Sequence, residues 1–308
     1  MADSTRPALS EVGRLTHVVL KHAREAFAGP ESIAAEWQAL SFTAPPDYAR
    51  AIEEYDRFAG VIASTGARID WLPASAGAGL DSIYVRDASV VSPWGMILCR
   101  MGKPPRGPEP DAQAFAFDKW GVPQHGVVQP PGCLEGGDLV WLDDRTVVVG
   151  RGYRTNDEGI GQLRTLLGPE IDVVVVPLPH WRGAGDVFHL MSVVSPVDRD
   201  LAVVYSPLLP VPFRERLLDR GVRFVEVPDA EFESMGANVL ALAPRRCLMV
   251  AGNPVTRAAL ERAGAEVFVY EGTEISLKGG GGPTCLTRPI ARKDLGGLFD
   301  DSKRLPGH

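Results

Sequence analysis

Residues 138–177 read DLVWLDDRTVVVGRGYRTNDEGIGQLRTLLGPEIDVVVVP. Two apolar runs, 138–142 and 146–150, flank the turn residues Asp143-Asp144-Arg145 and predict a strand pair. A helix-like segment, 158–168, then stops at a glycine, the residue that suits a left-handed helix cap. The β-branched run 173–177 completes the unit as a short buried strand. Its order is strand, strand, helix, strand.

The same order recurs along the chain. Helix, glycine stop and strand are read at 49–66 with 69–73, 213–221 with 224–228, and 255–264 with 267–270, and more weakly at 109–121 with Val127 and Val128. Strand pairs are read at 87–91 with 96–100, 189–194 with 201–205, and 238–242 with 247–251. The first strands start at Asp87, Asp138, His189, Asn238 and Cys285, in steps of 51, 51, 49 and 47 residues. A nearly constant period of that size marks a repeat architecture. The fifth unit has only residues 285–290 before a polar tail, and the N-terminal run 16–20 can pair with it and close a ring. The expected fold is an α/β, pseudo-fivefold propeller of five ββαβ units. It forms one domain over residues 1–308, with a flexible tail after about 292. The simpler alternative is an ordinary α/β domain with accidental spacing. Closure has a functional consequence: the five starting residues would converge on the ring axis.

Composition narrows the partners. With 45% apolar residues the chain can build a sizeable core, and a net charge of −7 without Lys/Arg clusters argues against a nucleic-acid partner. A cationic small molecule is easier to accommodate. No early segment has the pattern of a secretory signal and no apolar run is long enough to span a membrane, so a soluble, cytoplasmic protein is expected. Cys99, Cys133, Cys247 and Cys285 form no CxxC pair and are too sparse for a disulfide framework.

Cys285 follows four consecutive glycines, Gly279 to Gly282, and Pro283-Thr284. Such a run is expected where the backbone adopts unusual dihedrals or a ligand comes close, a poor setting for an inert thiol. Cys99 and Cys247 lie within apolar strand patterns and read as core residues, as does Cys133. His189 alone would read as structural, but its registry with Cys285 supplies the base or cationic partner that a reactive thiol needs. Leu134-Glu135-Gly136-Gly137-Asp138 and Asp81-Ser82-Ile83-Tyr84-Val85-Arg86-Asp87 bring four carboxylates toward the same place, where they would repel unless a cation lay between them. Solvated loop acids are the plainer reading of each. A metal site is a further reading, although the short ligand spacings of structural zinc are missing.

Taken in order, Asp87, Glu135-Gly136-Gly137-Asp138, His189 and Cys285 resemble the guanidino-group-modifying superfamily. It comprises arginine deiminases, amidinotransferases and dimethylarginine dimethylaminohydrolases and has the pentein fold. The resemblance runs from near His17 to Pro289. The hydrolases are the most similar: His189-Leu190-Met191-Ser192 is similar to their His-Leu-Lys-Ser, Arg154-Thr155-Asn156 to their Arg-Thr-Asn, and Leu98-Cys99-Arg100 to their Ile-Cys-Arg. The sequence departs from them at Arg86, where they usually carry Glu, and in the length of the glycine run.

The resemblance implies a hydrolase in which the Cys285 thiolate attacks the guanidino carbon. His189, oriented by Glu135, protonates the leaving amine and then activates water. Asp81 and Asp87, with Asp138, would bind the substrate guanidinium, and Arg100 and Arg154 its α-carboxylate. Met191 stands where deiminases carry an Asp, which points to Nω-methylated arginine, with citrulline and an alkylamine as products. No metal or other cofactor is required. Arginine deimination and amidino transfer are the rival reactions, and a non-catalytic pentein-fold binding module is the rival of another class.

Overall fold

The computed structural model of the chain describes residues 9–185 and 188–293. The tail expected after about residue 292 lies almost wholly outside the described residues. Fifteen strands form five three-stranded sheets. In chain order they are β1 (Arg14–Leu20), β2 (Arg68–Trp71), β3 (Ser89–Ser92), β4 (Gly95–Leu98), β5 (Gln124–Val127), β6 (Leu139–Asp143), β7 (Thr146–Arg151), β8 (Asp172–Pro177), β9 (Val194–Asp198), β10 (Leu201–Val204), β11 (Arg223–Glu226), β12 (Val239–Ala243), β13 (Arg246–Val250), β14 (Glu266–Tyr270) and β15 (Arg288–Lys293).

Each sheet repeats one pattern, an antiparallel pair whose second strand is joined through a helix to a parallel third. The helices of these crossovers are Tyr48–Ser64, Glu109–Trp120, Asp157–Leu167, Val211–Asp219 and Pro254–Arg262. Glycine stops behave as read: Gly121 and Gly168 take φ of 67° and 68°, in the left-handed region. The fifth unit closes from both ends of the chain, with β1 antiparallel to β15 in the register Val18↔Pro289 and parallel to β2.

The core explains both the uniformly apolar strands and the ring. Side chains alternate across a strand, and here both faces are covered by neighbouring sheets. Val147 and Val149 pack with Val90 and Ile97 of the preceding sheet, whereas Val148 packs with Val194 and Val204 of the next. Val203 and Met249 share the cluster between the following pair of sheets. Leu248 and Val250 meet Val18 and Leu20, and Val19 turns to Met96 and Leu98 of the sheet containing β3. Five apolar clusters thus lie between five sheets, which completes the circle.

Two first strands, β3 and β9, start two or more residues later than the sequence reading has them, and in the fifth unit residues 285–287 lie ahead of β15 instead of within it. Residues 189–194 were expected to form a first strand, but Leu190–Ser192 is a 3-10 turn and the strand is Val194–Asp198. The Ser192 hydroxyl accepts the His189 N–H at 3.1 Å, which favours the turn. Leu190 and Met191 are nonetheless buried, so a short apolar run is equally compatible with a buried turn. Among the described residues no helix is long and apolar enough to cross a membrane.

Candidate active site

The residues that begin the repeats sit in turns just ahead of their strands, and the ring brings them together. His189 Nε2 lies 2.7 Å from Glu135 Oε2, and its Nδ1 lies 4.0 Å from Asp87 Oδ1. Asn238 Nδ2 reaches the Cys285 sulfur at 3.6 Å, while Asn238 Oδ1 accepts the Thr284 N–H and hydroxyl at 3.0 and 2.9 Å. Cys285 and His189 line two adjoining cavities. The inner one, about 20 Å³, is walled by Asp81, Asp87, Lys103, Arg106 and Arg154. The outer one, about 250 Å³, is walled largely by apolar groups, among them Trp181, Phe188, Met191, Phe232 and Leu277.

Charge is arranged with care around His189. Burial opposes a charged imidazole, but Asp87, Asp138 and the hydrogen bond to Glu135 outweigh it and push the ring up to about 9. At neutral pH it is therefore an imidazolium. Burial works against the Glu135 carboxylate too, yet the His189 hydrogen bond and charge, with Arg154, hold it well below the usual range. Arg154 Nη1 donates to both its oxygens, at 3.1 and 3.3 Å, and the N–H groups of Gly102 and Lys103 donate to Oε1 at 2.8 and 3.2 Å. Burial and the nearby Asp87 push the Cys285 thiol up, so without a cationic ligand it is held as the thiol.

Two glycines show how closely the backbone must approach. A Cβ on Gly281 would fall 2.3 Å from the Tyr84 ring, which explains part of the glycine run before Cys285. A Cβ on Gly137 would fall 2.7 Å from both Asp87 Oδ1 and His189 Nδ1. Gly137→Ala is accordingly expected to lower kcat by about tenfold or more, since small displacements of reacting groups carry such penalties. Steady-state kinetics on variant protein with an unchanged circular-dichroism spectrum checks this; wild-type kcat would show that the contact is not functional.

Not all of the expected residues line the two cavities. Asp138 lines neither cavity; its oxygens accept the Leu190 N–H at 3.0 Å and the Thr155 hydroxyl at 2.7 Å, so it fixes the turn bearing His189. Arg100 also lines neither, with its Nη1 3.1 Å from the Gly132 carbonyl and 3.0 Å from the Cys133 sulfur. Arg154 does reach the inner cavity, though paired with Glu135. Asp81 and Asp87 are there as well, held by Lys103 Nζ and Arg106 Nη1, each at 2.6 Å. Met191 lines the outer cavity. Arg86, the departure noted above, points elsewhere, to Glu11 at 2.6 Å.

Lys103 and Arg106 were not anticipated. They lie in a proline-rich stretch, Lys103-Pro104-Pro105-Arg106-Gly107-Pro108, that reads as a solvated loop. The Arg106 guanidinium is in fact buried, donating also to Glu109 at 2.8 Å and to the Tyr84 carbonyl at 3.0 Å. No local pattern separates a buried guanidinium from an exposed one. Among the described residues, Asp87, Glu135 and His189 could together hold a metal ion. An ion there would have to displace the Glu135–His189 hydrogen bond and sit against the Arg106 and Arg154 guanidinium groups.

Comparison with known proteins agrees with this arrangement. Residues 43–292 match the family model described as N,N dimethylarginine dimethylhydrolase, eukaryotic. The N(G),N(G)-dimethylarginine dimethylaminohydrolase of Streptomyces coelicolor is 32% identical over 243 residues, covering 78% of this chain and 86% of that protein. An arginine deiminase of Listeria welshimeri is 28% identical over 253 residues, 69% of this chain and 62% of that one. Among solved structures, the Pseudomonas aeruginosa dimethylarginine dimethylaminohydrolase complexed with citrulline superposes with a TM-score of 0.72 at 22% identity, covering 91% of this chain and all of that one. An amidinotransferase of the saxitoxin pathway from Microseira wollei gives 0.76 at 16% identity, covering 96% and 98%. The ring of five sheets is the pentein fold, and the chain belongs to the dimethylarginine dimethylaminohydrolase family.

Proposed function

We propose that the protein hydrolyses Nω-methylated arginine to citrulline and an alkylamine through a covalent intermediate on Cys285. The observation that carries this reading is that Cys285, His189 and Asp87 line one small cavity, with Glu135 hydrogen-bonded to His189 behind its wall. A guanidinium entering it brings positive charge beside a thiol whose ionisation is otherwise opposed by burial and Asp87, and so favours the thiolate, the thiol proton passing to solvent because His189 already carries its own. Asp87 orients the guanidinium, and the sulfur forms a bond to its central carbon. The imidazolium of His189 transfers a proton to the departing amine as the C–N bond breaks, leaving a thiouronium on Cys285. Neutral His189 then takes a proton from water, whose oxygen displaces the sulfur. Lys103, Arg106 and Arg154 are the cations that line the inner cavity, each paired with a carboxylate, so the substrate α-carboxylate would be met by exchange with one of these pairs.

Substrate choice rests on Met191. A carboxylate there would accept hydrogen bonds from unsubstituted guanidinium nitrogens, whereas a thioether leaves a donor unmet at about 1–3 kcal/mol. N-methylation removes the donor and adds surface that packs against the thioether and its apolar neighbours. The wild type should have a kcat/KM about tenfold higher for Nω-methylarginines than for arginine, and Met191→Asp should move the ratio toward arginine. Citrulline and amine release measured on both substrates for both proteins tests this. A wild type that prefers arginine would transfer the assignment to deimination, and one that passes the amidino group to an added amine would transfer it to amidino transfer.

A further inference from the structure

A second set of charges lies apart from both cavities that hold the nucleophile. Arg86, Arg288 and Arg292 line another small cavity, about 20 Å³, with Trp141 and Glu11. The three arginine residues are 1%, 4% and 5% exposed, and Glu11 is the one carboxylate lining the cavity among the described residues. It pairs with Arg86 Nη2 at 2.6 Å. Arg292 Nη1 donates to the carbonyls of Gly13 and Ala241 at 2.7 and 2.8 Å, and among the described residues its charge has no carboxylate partner. Among the described residues the Arg288 side chain makes no hydrogen bond or ion pair.

The unmet groups are all donors. Arg86 Nε, Arg288 Nε, Arg292 Nε and Nη2, and the Trp141 indole N–H are buried and have no acceptor among the described residues. Three cations against one anion leave an excess of positive charge, and burial already lowers the affinity of Arg288 and Arg292 for their protons, to about 9 and about 10. Buried charges are ordinarily paired and buried donors satisfied. A water could accept two hydrogen bonds but could not balance the charge. The volume admits about one small particle, a water molecule or a monoatomic ion for which the surrounding side chains give by a few tenths of an ångström, and is too little for sulfate or phosphate.

We propose that this cavity is a binding site for a monoatomic halide anion, chloride in physiological media, held by Arg86, Arg288, Arg292 and the Trp141 indole. The site backs onto the reaction centre, because the Arg86 N–H donates to the Cys285 carbonyl at 3.2 Å. The ion would therefore join β15, the turn before β3 and the N-terminal approach to β1 where the ring closes.

The test uses the full chain. Thermal unfolding is followed in sodium chloride, bromide, sulfate and gluconate titrations at constant ionic strength, and a bromide-soaked crystal is examined for anomalous scattering. Chloride and bromide should raise Tm saturably, by about 4 °C at a hundredfold excess over Kd, with one bromide peak among the three arginines. Trp141→Phe, which removes one donor and keeps the ring, should weaken the halide midpoint several-fold. Equal Tm in halide and gluconate would overturn the proposal. So would stabilisation by sulfate alone, or a cavity filled by water or by a carboxylate from residues 1–8 or 294–308.

Discussion

Cys285→Ser is expected to lower kcat/KM by about 10³-fold or more while substrate still binds. A serine hydroxyl in this setting has no base prepared for it, since His189 is already protonated, and removal of a covalent nucleophile typically carries losses of that order or larger. The other cysteines cannot substitute. Burial pushes the Cys247 thiol up to about 12 and raises Cys99 as well, and both pack inside apolar clusters. Cys133 lies against Arg100, away from both cavities. The experiment combines steady-state rates with the intact mass of acid-quenched enzyme. Wild type and Cys133→Ser should both carry a substrate-derived adduct that maps to Cys285, and Cys285→Ser should carry none. Appreciable turnover by Cys285→Ser would rule out the covalent route.

Glu135→Gln should have the next largest effect, a fall in kcat of about 10²-fold or more with a smaller change in KM, as befits loss of acid–base function. The carboxylate is fully buried and accepts from His189, Arg154 and two backbone N–H groups. A glutamine must turn its amide N–H₂ toward some of these donors and cannot offset the charges of His189 and Arg154. The pH profile separates this from simple loss of packing. In the wild type the imidazolium that protonates the leaving amine is present below about 9 and lost above it, so kcat should fall as pH rises through that value. Removing one of the carboxylates that raise the His189 pKa must move this limb downward, toward the ordinary value of 6.5. An unmoved alkaline limb in Glu135→Gln would show that His189 is not the group titrating in it.

Much of the architecture was legible before folding because its causes are local. Glycine stops after helical segments, turn residues between apolar runs and a period near 50 residues depend on neighbours in sequence, and they become five sheets with β1 and β15 closing the ring. The registry of the repeat starts brings Cys285, His189 and Asp87 to one cavity, whereas Asp138, at an equivalent position, lines neither cavity, and Glu135 stands three residues ahead of that position. Residues 189–194 were misread because an apolar run is buried whether it forms a strand or a turn. What only the tertiary structure decided is how charges pair. Arg106 meets Asp87, Lys103 meets Asp81 and Arg154 meets Glu135, while Asp138 is consumed by the backbone of Leu190 and Arg100 is turned away. Solvated and buried charged residues look alike in a sequence, and their partners are chosen by contacts between segments 17 to 54 positions apart. Composition could show that acids and bases were present, but only the fold could set the distances that make one histidine an acid and bring three arginines to the wall of one cavity.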